Sequence, residues 1–139
     1  MLEMTIENIM CDHPIKVKDN IRVGSVAHLL LRHQINGILV VEEKDENKLV
    51  GILTTTDLLR LINEALGQRR QRIKALKRIA NMKVGQVATR EIISLSSKDT
   101  VMKALAVMHR KNIHTIPIYN KNKLVGVIGK HDILNIALI

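Results

Sequence analysis

The chain has 139 residues, a net charge of +9 and 46% apolar residues, with no Phe, no Trp and Tyr119 as the single aromatic, so any core is aliphatic and forms one compact domain or two very small ones. A single cysteine excludes an intrachain disulfide and fits a reducing compartment. No apolar run of 18 residues and no charged leader with an apolar segment is present, so a secreted or membrane-spanning reading has no support and a soluble, cytoplasmic chain is expected.

In chain order, residues 4 to 10 predict a short helix, with Thr5 as its N-cap and Ile6, Ile9 and Met10 on one face. Cys11-Asp12-His13-Pro14 breaks it, because the residue before a proline is pushed out of the helical region. Ile15-Lys16-Val17 alternates as a short strand does, and Ser25 is expected to cap a helix carrying Val26, Leu29, Leu30 and His33. The run Ile38 to Val41 is apolar throughout, which predicts a strand buried on both faces. A charged turn, Glu42 to Lys48, leads to a strand from Leu49 to Leu53, and the pair reads as a hairpin. A helix beginning near Thr56-Asp57 carries Leu58, Leu59, Leu61 and Ile62.

Residues 60 to 83 differ from the rest in charge. They hold Arg60, Arg69, Arg70, Arg72, Lys74, Lys77, Arg78 and Lys83 against the single acid Glu64. Gly67 ends the preceding helix, and Ile73, Leu76, Ile79 and Ala80 mark a narrow apolar stripe on a basic helix. The earlier order then returns: short helix, strand, helix from about Thr100 to Lys111, strands Ile116 to Tyr119 and Leu124 to Ile128, and a helix from His131.

The chain is one unit written twice. Gly51-Ile52-Leu53-Thr54-Thr55-Thr56-Asp57 answers to Gly126-Val127-Ile128-Gly129-Lys130-His131-Asp132, with Gly and Asp recurring at a spacing of 75. The copies differ in length by two residues ahead of the first long helix and three in the hairpin turn, where extra residues cost little. Units of about 65 residues are marginal alone. The expected organisation is a first repeat at 1–66, a basic linker helix at 67–81 and a second repeat at 82–139.

The repeated order helix, strand, helix, strand, strand, helix, ending in G-[VI]-[IL]-x-x-x-D-[IL]-L, resembles the cystathionine-β-synthase (CBS) domain, and the tandem resembles the paired Bateman module. The resemblance covers essentially the whole chain. It implies an α/β (α+β) fold of two CBS repeats packed sheet to sheet with pseudo-twofold symmetry and two clefts between them. In the family such clefts take adenosine nucleotides or related adenosyl ligands.

The resemblance places Asp57 and Asp132 where a carboxylate accepts hydrogen bonds from ribose hydroxyls, a charge-assisted contact. Both would also be ordinary helix caps. Thr54 takes the position of a phosphate-meeting hydroxyl at a helix start. Its counterpart Gly129 has no hydroxyl, which leaves Lys130 and His131 to supply charge there. By position the adenine contacts are Cys11, Asp12 and Pro14 with Gly37, Ile38 and Leu39 in the first copy. In the second they are Thr89, Arg90 and Ile92 with Thr115, Ile116 and Pro117, and the bland reading of the apolar ones is core. His114, opposite Asn36 of the first copy, stands where some nucleotide-sensing members place a phosphate-contacting basic residue. Cys11 reads as a small, partly buried stand-in for Thr.

No P-loop, nucleophile elbow, acid pair with a base, or metal-ligand spacing appears, so no enzyme, required cofactor or metal is expected. The expected function is a stand-alone sensor that binds AMP, ADP or ATP and acts on an effector protein through conformational change. S-adenosylmethionine fits less well, because its sulfonium brings a positive charge to a basic chain. A homodimer through the helices is expected, with Leu58, Leu61, Leu134 and Ile136 as candidate surfaces. Two rival readings rest on the same residues: a nucleic-acid-binding protein, on the charge and the run 69–78, and a dimerisation module that binds nothing.

Overall fold

In the computed structural model, which describes residues 3–139, the two apolar runs at 37–41 and 115–120 become the middle strands of two separate three-stranded sheets. The elements in chain order are β1 (Lys16–Lys18), α1 (Val23–His33), β2 (Gly37–Val41), β3 (Leu49–Thr54), α2 (Thr55–Leu66), α3 (Arg72–Asn81), α4 (Val84–Val87), β4 (Leu95–Ser96), α5 (Val101–Lys111), β5 (Thr115–Asn120), β6 (Lys123–Gly129) and α6 (Lys130–Leu138). A single 3-10 turn at Ile6–Asn8 precedes them.

Each sheet is built the same way. The short first strand runs parallel to the second, a pairing that needs the long helical connection between them, and the third closes an antiparallel hairpin. Central position explains the unbroken apolar runs: Ile38, Leu39, Val40 and Val41 are all buried, as are Ile116, Pro117 and Ile118. The alternating pattern of the outer strand β6 fits a strand with one covered face, since Leu124, Gly126 and Ile128 are buried while their neighbours are half-exposed.

The compact units are not the two stretches of repeated sequence. One comprises Lys16–Glu91, and the other joins the residues up to Ile15 with Ile92–Ile139. The early residues are held in the second unit by hydrogen bonds from Ile6 N–H to the Asp99 carbonyl (2.8 Å) and between Cys11 and Val127 in both directions (2.9 and 3.0 Å). Ile6, fully buried, lies in one core cluster with Val101, Ala104, Ile116, Ile118, Ile128 and Ile133. Correspondingly, α4 and Thr89 belong to the first unit, where Thr89 and Ile52 exchange backbone hydrogen bonds at 2.9 and 3.0 Å.

The glycines that anchor the repeat are explained by these exchanges. A Cβ on Gly51 would stand 2.7 Å from the Thr89 carbonyl oxygen, and one on Gly126 would stand 2.7 Å from the Cys11 carbonyl oxygen. Each position admits a crossing segment only because it has no side chain.

Several local expectations are corrected. The helix expected from Ser25 begins at Val23, with Arg22 as its N-cap and no side-chain cap bond. A tertiary contact starts it instead: Arg22 bridges Lys83, and the Val23 N–H donates to the Met82 carbonyl at 2.9 Å. Thr5 is the N-cap residue of the 3-10 turn, but its hydroxyl accepts from the Asn8 side chain (2.9 Å) rather than from the backbone. In α3 the buried residue is Ala75, with Leu76, Ile79 and Ala80 half-buried, while Ile73 is 71% exposed. Within the stretch 67–81 the helix α3 lies against α1 and α2. Among the described residues, no helix is long and apolar enough to cross a membrane.

Candidate functional site

The chemistry concentrates where each sheet hands over to its last helix. In the unit Lys16–Glu91, β3 ends at Thr54 and α2 begins at once, with Thr54 as N-cap in extended geometry. Thr54 and Asp57 form a reciprocal capping box. The Asp57 N–H donates to Thr54 Oγ1 at 3.1 Å, and the Thr54 N–H donates to Asp57 Oδ2 at 3.0 Å. The Asp57 side chain is 10% exposed, with Arg60 Nη1 3.4 Å from Oδ1 and the Thr89 hydroxyl donating to Oδ2 at 3.5 Å. A buried acid thus has one oxygen committed to the cap and the other facing a cation that is itself solvent-exposed.

The Thr54 oxygen accepts within the cap, so its hydroxyl hydrogen remains a donor. The helix N-terminus offers less to an anion than sequence position alone implied. Its Thr55 N–H donates to the Asn36 carbonyl at 2.9 Å, and the Asp57 N–H is taken by Thr54. The Asn36 carbonyl is a contact that motif reading missed, and its role recurs in the other unit: there the Lys130 N–H donates to the His114 carbonyl at 3.2 Å. Both residues precede a middle strand whose first residue pairs with the helix N-cap, Gly37 with Thr54 and Thr115 with Gly129. That shared register was the available signal.

The second handover is a weaker copy. The Gly129 N–H donates to Asp132 Oδ2 at 2.7 Å, but glycine has no side chain to return the bond. Asp132 is half-buried and has no ion pair among the described residues. Lys130 is half-buried beside it, while His131 and His114 are exposed.

The expected adenine-side residues are regrouped. Cys11, Asp12 and Pro14 were grouped with Gly37, Ile38 and Leu39, yet Cys11 pairs with Val127 in the unit that carries Asp132. Thr89 and Arg90 were grouped with Thr115, Ile116 and Pro117, yet Thr89 pairs with Ile52 and reaches Asp57. The reason is the exchange of leading segments, which no alignment of the two copies reveals. Ile92 remains with Thr115, Ile116 and Pro117. Arg90 is tethered by a 2.7 Å bond from Nη2 to the Gly85 carbonyl, and exposed Asp12 meets His13 at 2.7 Å. Ile38, Leu39, Ile116 and Pro117 are buried, so their side chains serve the core. Cys11 is exposed, not partly buried, because its backbone, and not its side chain, makes the contact with β6.

The sequence profile of the CBS domain matches residues 6–64 and 84–138, which is most of the chain. The protein belongs to the CBS domain family. It is a tandem CBS module of mixed α and β structure. A homoserine O-acetyltransferase of Methanococcus vannielii is 31% identical over 134 residues, 96% of this chain but 25% of that protein. The 5'-AMP-activated protein kinase subunit gamma of Dictyostelium discoideum is 25% identical over 86% of this chain and 20% of its own length. This chain therefore spans about a quarter or less of those two relatives. Among solved structures, the CBS domain pair of protein MJ0100 in complex with 5'-methylthioadenosine and S-adenosyl-L-methionine superposes with a TM-score of 0.73 at 25% identity, over 96% of this chain and 94% of that one.

Proposed function

We propose that this CBS pair is a regulatory module that senses an adenine nucleotide, AMP, ADP or ATP, and passes the signal on by conformational change. The observation that carries the reading is the buried Asp57 carboxylate, fixed by its capping box beside a hydroxyl that still has a proton to donate. In this reading Asp57 accepts from the ribose hydroxyls, the Thr54 hydroxyl donates to a phosphate, and exposed Arg60 swings from the carboxylate to the anion. Thr89 and Arg90 line the same unit's site. The other site, with Asp132, Gly129, Lys130 and His114, is the weaker of the two for want of the N-cap hydroxyl.

A solved neighbour that holds two adenosine compounds, and a relative named for activation by AMP, support the ligand class. The net charge of +9 favours an anionic nucleotide over a sulfonium. The module has no catalytic role of its own, and a ligand shifts its conformation only by binding one arrangement better than another. A second copy associates through exposed apolar side chains. On α2 these are Leu59, Ile62 and Leu66 rather than the half-buried Leu58 and Leu61, and on α6 they are Leu134 and Leu138 rather than Ile136, which packs on the core.

The test is a calorimetric and thermal-denaturation panel of AMP, ADP, ATP and S-adenosylmethionine on wild type and Asp57→Asn. At a hundred times its dissociation constant, a true ligand stabilises by about 2.7 kcal/mol. The expected result is a shift with at least one nucleotide that disappears in Asp57→Asn. Stabilisation by S-adenosylmethionine alone would overturn the choice of ligand, and no shift with any compound would overturn the sensing role.

A further inference from the structure

We propose that the basic face running from the turn after α2 along α3 is a docking surface for the phosphate backbone of a nucleic-acid duplex, a partner separate from the nucleotide. Arg69, Arg70, Arg72, Lys74, Lys77 and Arg78 fall within ten consecutive residues, and all six are exposed. Only Arg72 is tied down, its Nε donating to the Leu66 carbonyl at 3.0 Å. The other five make no side-chain hydrogen bond or ion pair among the described residues. Elsewhere on the surface cations find acids, as in Lys48 with Glu42, Lys98 with Glu7 and Lys103 with Asp99. Between residues 60 and 83 the sole acid is Glu64, so this field is not neutralised internally. All but Arg78 line one open surface depression of about 570 Å³.

The shape of the patch selects among polyanions. The ten residues of α3 extend about 15 Å, and a duplex laid along them presents one negative charge per about 1.7 Å of axis, more than the five untethered cations need. A single strand is held by aromatic platforms as well as charge. The chain has no Phe or Trp, and Tyr119 lies in the other unit. A membrane-surface helix needs an apolar face to insert. Here Ala75 is buried and Leu76, Ile79 and Ala80 are half-buried, which leaves Ile73 as the one exposed large apolar side chain on α3. An acidic protein would need a desolvated apolar centre among the charges, and Ile73 alone does not make one.

The experiment is fluorescence anisotropy on the full chain with a labelled 20-base-pair DNA duplex, between 50 and 200 mM salt. Unlabelled single strand of the same sequence, polyglutamate and phosphatidylserine vesicles serve as competitors. Arg70→Gln/Lys74→Gln/Lys77→Gln is compared with wild type and with Lys121→Gln/Lys123→Gln, which removes charge at the exposed β5–β6 turn. We expect sequence-independent duplex binding, with log affinity falling against log salt at a slope of about −4.5 for five phosphate contacts. The triple variant should lose at least tenfold in affinity and flatten the slope to about −1.8, with an unchanged melting temperature, while the double variant binds much as wild type. No duplex binding at 50 mM salt, equal losses in both variants, or preferential competition by single strand, polyglutamate or vesicles would each overturn the proposal.

Discussion

Thr54 and Asp57 hold each other at the head of α2 through two backbone-to-side-chain bonds of 3.0 and 3.1 Å, so the orientation of the carboxylate is fixed by the fold itself. Removing the hydroxyl with Thr54→Ala should cost about 1 kcal/mol. Urea denaturation would report it as a lower midpoint with an unchanged slope, and Thr54→Ser should restore most of the loss. An alanine variant as stable as wild type would mean that the box is idle.

The matching position in the other unit allows the reverse experiment. Gly129 has ordinary extended geometry (φ −120°), and a Cβ there would make only a van der Waals contact of 3.5 Å with the His114 carbonyl oxygen. Gly129→Thr should therefore stabilise by about 0.4–1 kcal/mol, chiefly by reducing the freedom of the unfolded chain, since Thr and Gly serve about equally as N-caps. A lower melting temperature in this variant would contradict the geometry.

Gly51→Ala should do the opposite despite the same gain in the unfolded chain. Its new methyl would meet the Thr89 carbonyl oxygen at 2.7 Å and the Ala88 Cβ at 2.9 Å, so the crossing segment must shift. A loss of about 1–3 kcal/mol is expected, typical of overpacking. Hydrogen exchange at the Ile52 and Thr89 amides, which pair with each other's carbonyls, should speed up more than exchange elsewhere in the sheet.

Asp99 carries a pH dependence. Its carboxyl is held below the ordinary value of 3.8, first by the hydrogen bond from the Ser96 N–H (2.8 Å); burial opposes this, and the hydrogen bond and charge of Lys103 at 3.2 Å lower it further. The folded state thus binds a proton less readily than the unfolded chain. The stability it contributes is fully present above 3.8 and is lost as pH falls through the depressed folded value. The advantage of wild type over Asp99→Asn in urea midpoint should be constant from pH 7 to about 5 and shrink below 4. An advantage that grows as acid is added would refute that assignment.

Much of this protein was legible in its residues alone. Alternation marked β1 and an unbroken apolar run marked β2, because strand burial follows directly from which side chains can leave water, and the hairpin and the repeat supplied β3, β5 and β6. The constant spacing of Gly51 with Gly126, and of Asp57 with Asp132, showed that one unit is repeated. The helix expected near Thr56-Asp57 begins at Thr55 with Thr54 as its N-cap, close to the expectation because a helix start is set by local bonds that close within one turn.

What the sequence could not show was long-range. Nothing in Cys11 or Thr89 tells which sheet edge each will join, because a backbone bridge depends on the partner's position and not on the side chain that carries it. The crossing of the residues up to Ile15 and of α4 into the opposite copies' sheets decided which residues stand together in each unit, moved Thr89 beside Asp57, and gave Gly51 and Gly126 their purpose. The same holds for α3: its charge was plain in the sequence, but only packing against α1 and α2 decided which of its side chains face water. Local bonds are written in neighbouring residues, whereas the choice among distant partners is made by the free energy of the whole packed unit.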